Sequence, residues 1–129
     1  MLPIDRILWP TDFSEAACRA LDAAAELAVL HDAELVCFHV YEPPPENSEW
    51  ADASKLSIPL AVKEKCQELE TELADRVAER VPDEVKFTVM VTAGDAPKAI
   101  LDMAERNGFD MVVIATHGLS GWRRLIFGS

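Results

Sequence analysis

Two short segments carry residue types able to hold an anionic ligand. Pro10-Thr11-Asp12 closes an apolar run and places a carboxylate just beyond it. Thr116-His117-Gly118-Leu119-Ser120-Gly121, followed by Gly128-Ser129, is rich in glycine and hydroxyl groups. Gly118, Gly121 and Gly128 let the backbone approach a ligand and turn its N–H groups inward, and Ser129 adds a hydroxyl and an N–H. Those are the makings of a phosphate cradle; the alternative is a plain glycine turn. The chain has neither the G-x-x-x-x-G-K-[ST] loop nor G-x-G-x-x-G,. Asp12 would offer a carboxylate to a ligand, or it serves only as a turn cap after a strand.

Other polar residues point less directly to chemistry. His117 has no serine or cysteine nucleophile partnered with it by any sequence signal and reads as a loop residue near the ligand,. His39 ends an apolar strand and reads as a hydrogen-bonded core histidine, and His31 suits a helix C-terminus,. Glu64, Glu68, Glu70, Glu72, Asp75 and Glu79 are interspersed with Lys and Arg and describe a solvated helix face,. Arg123-Arg124 either meets phosphates or offsets nearby acid, and Trp50 by default covers local apolar surface,. Cys18, Cys37 and Cys66 are odd in number and contain no C-x-x-C, which supports neither a disulfide framework nor a zinc site,. No acid–base pair or nucleophile set marks a dedicated catalyst.

The elements that must position these segments alternate between strand and helix. Arg6-Ile7-Leu8-Trp9 is a buried strand, and Ser14 caps a helix over 15–31 with Ala17, Leu21, Ala24 and Ala28 on its packing face,. Glu34 to Tyr41 is a second strand, nearly continuous in apolar character, as in a parallel sheet buried on both faces,. Residues 42–58, with Pro43-Pro44-Pro45, form a long loop, and 59–80 a long amphipathic helix,. Val85 to Thr92 alternates like a strand near a sheet edge,. Asp95 and Pro97 open a helix whose buried side is Ile100, Leu101, Met103 and Ala104, closed by Gly108,. Met111 to Ala115 is wholly apolar, which places it centrally. This order specifies an α/β fold with a parallel sheet, and ligands of such sheets bind beyond the carboxyl ends of the strands.

Composition narrows the partners. The chain has 129 residues, half of them apolar, and a formal net charge of −11. So acidic a surface repels nucleic-acid backbones and anionic lipid. A nucleotide site here must therefore work through backbone N–H groups, a helix N-terminus or a metal. No apolar run approaches the ~20 residues of a membrane span. The N-terminus lacks signal-peptide features and the thiols are unpaired, so a cytoplasmic location is expected,.

Four stretches resemble the universal stress protein family. They are Arg6 to Ser14, Phe38-His39-Val40, Gly94-Asp95-Ala96-Pro97, and Asp110 through Gly118. The ATP-binding branch of that family carries glycine, two residues, glycine, nine residues, then glycine and serine or threonine. Here the pattern reads Ala115, two residues, Gly118, nine residues, Gly128-Ser129, so Ala115 stands in place of the first glycine. The resemblance implies a three-layer, doubly wound parallel sheet, Rossmann-like and of the nucleotide-binding alpha hydrolase type. Its implied strand order is 3-2-1-4, with a fifth strand and last helix that the family carries beyond the point where this chain stops at Ser129. Residues 1–129 are then a single domain, shortened at its C-terminus.

The resemblance also implies a ligand and a function. Pro10, Thr11 and Asp12 would lie near ribose and adenine, with Val40 offering backbone groups to the base. Ala115, Thr116, His117, Gly118, Leu119, Ser120, Gly121, Gly128 and Ser129 would wrap the phosphates of ATP. Mg²⁺ would arrive with the nucleotide, Asp12 being the one protein group placed to help hold it. The implied role is a nucleotide-binding regulatory module of the stress response, working as a homodimer. The alternatives are a homodimeric interaction module that binds no nucleotide, and a slow ATPase.

Overall fold

The computed structural model describes residues 3–44 and 59–115. Seven elements follow in order: β1 (Arg6–Pro10), α1 (Glu15–His31), β2 (Glu34–Tyr41), α2 (Leu60–Arg80), β3 (Lys86–Ala93), α3 (Ala96–Arg106) and β4 (Met111–Val112). The strands form one sheet in the order β3-β2-β1-β4, and every pair is parallel. β1 pairs with β2 at Ile7–Leu35 and Trp9–Cys37, and with β4 at Ile7–Met111.

Alternation along the strands builds three layers. Ile7, Trp9, Leu35 and Cys37 point to one face, where Leu21, Ala24 and Ala28 of α1 and Leu73 and Val77 of α2 pack on them. Leu8, Val36, Phe38 and Val40 point to the other, under Ile100 of α3. The small alanine face lets α1 lie close to the strands. The indole N–H of Trp9 donates to the Ala17 carbonyl at 3.0 Å, so this buried polar atom is satisfied,.

Local chemistry sets the boundaries. Ser14 caps α1, its Oγ accepting the Ala17 N–H at 3.1 Å, and Asp32 ends the helix in the left-handed region. Asp95 caps α3 by accepting the Lys98 N–H at 3.1 Å, with a proline in the first turn,. Gly108, at φ +67°, follows the end of α3. α1 and α2 are joined by a two-pronged ion pair, Arg80 to both carboxylate oxygens of Asp22 at 2.8 Å. That contact lowers the Asp22 pKa, chiefly through the hydrogen bonds from Arg80.

Two expectations need correction. Leu101 does not face the core: it is 37% exposed, and of the predicted set only Ile100 is fully buried, with Met103 and Ala104 packed beside it. A helix this short buries one narrow stripe, and Leu101 lies 100° round from Ile100. The wholly apolar strand β4 is not enclosed either. Among the described residues it ends the sheet and is half-buried, because only β1 pairs with it. The edge reading of β3 agrees with its alternating exposure and its terminal place in the sheet.

No helix among the described residues is long and apolar enough to cross a membrane.

Candidate functional site

The strand order reverses at β1. The chain steps from β1 to β2 to β3 in one direction, then returns through α3 to place β4 on the other side of β1. In open parallel sheets, ligands bind beyond the carboxyl ends of the strands on either side of such a reversal, here β1 and β4. Pro10 ends β1, and Thr11 and Asp12 follow it. Val40 is the next-to-last residue of β2, two residues beyond the Phe38 that pairs with Pro10. Ala115 lies three residues beyond Val112, and Thr11 three beyond Leu8, the partner of Val112. These five predicted residues therefore share one edge of the sheet. Thr116, His117, Gly118, Leu119, Ser120, Gly121, Gly128 and Ser129 lie outside the described residues, as do Trp50, Arg123 and Arg124.

The turn after β1 is held by a closed set of hydrogen bonds. Thr11 is buried, and its N–H donates to the Phe38 carbonyl at 2.8 Å, extending the β1–β2 ladder by one residue. Its Oγ1 accepts the Phe13 N–H at 3.0 Å. Asp12 Oδ1 accepts the Ser14 N–H at 2.9 Å, an Asx turn that leads into the Ser14 cap,. Asp12 is thus a turn cap, as one reading of the sequence holds. Its Oδ2 has no protein partner among the described residues and remains able to accept a ligand hydroxyl. In the first turn of α1, the Ala17 N–H donates to the Ser14 Oγ and the Cys18 N–H to the Ser14 carbonyl.

Phe13 lies at φ +67°, the left-handed region that a bulky side chain rarely adopts,. Its ring packs on the core face shared by α1 and α2 and meets the His39 ring edge-on, with centroids 4.7 Å apart. The Arg76 guanidinium of α2 stands 5.2 Å from the Phe13 ring centroid on a second side. His39 Nδ1 lies 2.7 Å from the Thr11 carbonyl oxygen. The hydrogen-bonded role expected for His39 is therefore observed, with a partner that the sequence did not name. The strained Phe13 and its contact with Arg76 were missed altogether. The β1–β2 register, once known, is the signal that puts His39 beside Thr11.

Neither thiol chemistry nor a protein metal cluster competes for this edge among the described residues. Cys37 is fully buried beneath it, and burial pushes its thiol up to about 12. The half-buried Cys66 is also raised, first by burial and then by Glu70. No three His, Cys, Asp or Glu side chains among the described residues are grouped to hold a metal ion. A single free carboxylate oxygen suits an ion that a phosphate ligand brings with it better than a resident one. A cleft of about 420 Å³ lies elsewhere, lined by residues that include Ala25, Val29 and Leu30 of α1 and Pro82.

Comparison with known proteins fixes the family. The model of the Universal stress protein family matches residues 3–129. Universal stress protein A homolog 1 of Coxiella burnetii is 28% identical over 122 residues, covering 93% of this chain and 81% of that protein. Universal stress protein MJ0577 of Methanocaldococcus jannaschii is 26% identical over 137 residues, covering 96% of this chain and 83% of that protein. The solved structure of MJ0577 superposes with a TM-score of 0.70, covering 98% of this chain and 85% of its own. A universal stress protein solved in complex with cAMP superposes with a TM-score of 0.61 at 22% identity, covering 92% of this chain and 81% of its own. The parallel sheet with its reversal at β1, the capped acidic turn beyond it and the match over nearly the whole length lead to one conclusion: this chain belongs to the universal stress protein family.

Proposed function

We propose that this chain is a regulatory module that binds an adenine nucleotide, ATP with Mg²⁺, at the carboxyl edge of β1, β2 and β4. The observation that carries the proposal is the reversal of strand order at β1, with Thr11, Asp12 and Ala115 at the same edge of the sheet. Asp12 Oδ2 takes a ribose hydroxyl, the backbone at Val40 meets the base, and residues 115–121 with Gly128-Ser129 supply N–H groups to the phosphates. The family includes a member solved with cAMP, an adenine nucleotide of related shape, and this supports the ligand class. Ala115, in place of a motif glycine, narrows the approach by one methyl group without closing it.

Mg²⁺ when bound neutralises phosphate charge. The chain's part is to orient the ribose through Asp12 and to exclude water with the apolar strand ends. On this reading the nucleotide sets the protein's conformation or its choice of partner, a homodimer included, and ADP forms slowly if at all. An amide NMR titration with Mg-ATP, with cAMP as competitor, tests the placement. The proposal expects shifts concentrated at Thr11, Asp12, Val40 and Ala115. Shifts confined to the cleft around Val29 and Leu30 would overturn it.

A further inference from the structure

We propose that His39 is a positioning residue, one that sets the Asp12 carboxylate for its ligand by clamping the residues on either side of it. Its consequence for nucleotide affinity rests on the function proposed above; the clamp itself is independent of that reading.

The clamp begins at Thr11. Two successive residues of β2 hold its two backbone polar groups, Phe38 through its carbonyl at 2.8 Å and His39 through Nδ1 at 2.7 Å from the Thr11 oxygen. Strand pairing alone supplies the first of these; the second depends on the histidine side chain. A carbonyl oxygen can only accept, so Nδ1 carries the proton and the neutral ring is the Nδ1–H tautomer. On the other side of Asp12, the same ring meets Phe13 edge-on at 4.7 Å. Phe13 is the residue held at φ +67°.

A bulky residue in the left-handed region persists only where its surroundings over-determine it. Without support, the peptide between Asp12 and Phe13 turns over to a relaxed conformation. The Asx turn from Asp12 Oδ1 to the Ser14 N–H then breaks, and the carboxylate leaves the edge of the sheet. His39 opposes that change at both ends: it fixes the direction of the Thr11 carbonyl and backs the Phe13 ring. Arg76, ion-paired with Glu72 at 3.1 Å, supports the ring from α2.

Three measurements on the full chain test the clamp. The first needs no variant: long-range ¹⁵N–¹H correlation of the wild-type imidazole reports the tautomer. Nδ1–H is expected, and a neutral ring protonated on Nε2 would overturn the proposal. The second compares His39→Phe, which keeps a ring and loses the donor, with His39→Asn, whose amide N–H₂ can take the place of Nδ1. Amide exchange at Phe13 and Ser14 is expected to speed up in H39F, which loses the donor, and to be partly rescued in H39N, which restores the donor but not the ring, while the amides of β2 stay protected. Equal exchange in all three proteins would overturn the clamp.

The third is Mg-ATP titration of the same proteins. H39F is expected to bind about tenfold more weakly, the effect of losing one well-formed hydrogen bond, with part of the loss recovered in H39N. Unchanged affinity in H39F would overturn the link from clamp to ligand. If the wild type binds no ATP, the nucleotide reading fails, and the clamp is decided by the tautomer and the exchange rates.

Discussion

His39 Nδ1 donates to the Thr11 carbonyl across the parallel pair β1–β2, at 2.7 Å. The bond joins His39, near the end of β2, to the first residue beyond β1. Together with the Thr11 N–H bond to the Phe38 carbonyl, it carries the hydrogen bonding between the strands one residue into the acidic turn.

Phe13 gives a signed test of backbone strain. Phe13→Ala keeps a Cβ at φ +67° and loses the ring; Phe13→Gly loses the ring and relieves the strain,. F13A should therefore be less stable than F13G by about 1 kcal/mol, which reverses the usual order of alanine and glycine. Urea denaturation of the two variants measures the difference.

Ser14 caps α1 and takes the N–H of Ala17. Ser14→Ala should destabilise the protein by about 1 kcal/mol, the ordinary loss at a helix N-cap. Ser14→Gly should cost only a few tenths of that unit, roughly, because the glycine cap stays well solvated. Thermal and chemical denaturation of the pair distinguish the cap from a general effect of substitution.

Cys37 ties stability to alkaline pH. Its folded pKa is raised by burial to about 12 from an ordinary value of 9.0. Between these values the unfolded chain releases the thiol proton and the folded chain keeps it. Stability is therefore fully present below about pH 9 and declines as pH rises towards about 12,. The slope approaches 1.4 kcal/mol per pH unit at most, roughly. Cys37→Ala should flatten this part of the pH–stability curve. In the native wild type Cys37 should also resist alkylation at pH 8 until denaturant is added, while the half-buried Cys18 reacts first.

Asp110 fastens β4 to β1 at the amino edge of the sheet. Its Oδ2 accepts the N–H groups of Asp5 at 2.8 Å and Arg6 at 3.1 Å. Arg6 in turn lies 4.5 Å from the Phe109 ring centroid and donates to the Asn107 carbonyl. Asp110→Ala should cost about 1–3 kcal/mol, since it leaves two backbone donors without their charged acceptor. Accelerated exchange at the Asp5 and Arg6 amides, with the β2–β3 amides unchanged, would assign the loss to this latch.

The elements were legible because the signals were local. Ser14 and Asp95 announce helix starts, and the apolar runs at Ile7, Leu35 and Phe38 can only be buried strands. Strand order was legible through the family resemblance, which also points to Pro10-Thr11-Asp12 as a candidate ligand edge. Long-range relationships were not. Nothing in a lone Phe13 signals a positive φ, and the His39–Thr11 bond appears only after the β1–β2 register is known. The exposure of Leu101 and of β4 depends likewise on what lies beside them, a property of the assembled sheet rather than of the segment.

The proposed function stands on one property, the binding of an adenine nucleotide at the carboxyl edge of β1 and β4. Calorimetric titration with Mg-ATP, run on the wild type, Asp12→Ala and Gly118→Val, measures it. Saturable binding to the wild type is expected, with weakening by about tenfold in D12A, which loses one charge-assisted hydrogen bond, and loss in G118V, whose added side chain would crowd the proposed phosphate cradle. No heat at millimolar ATP with the wild type, or equal binding by all three proteins, would contradict it.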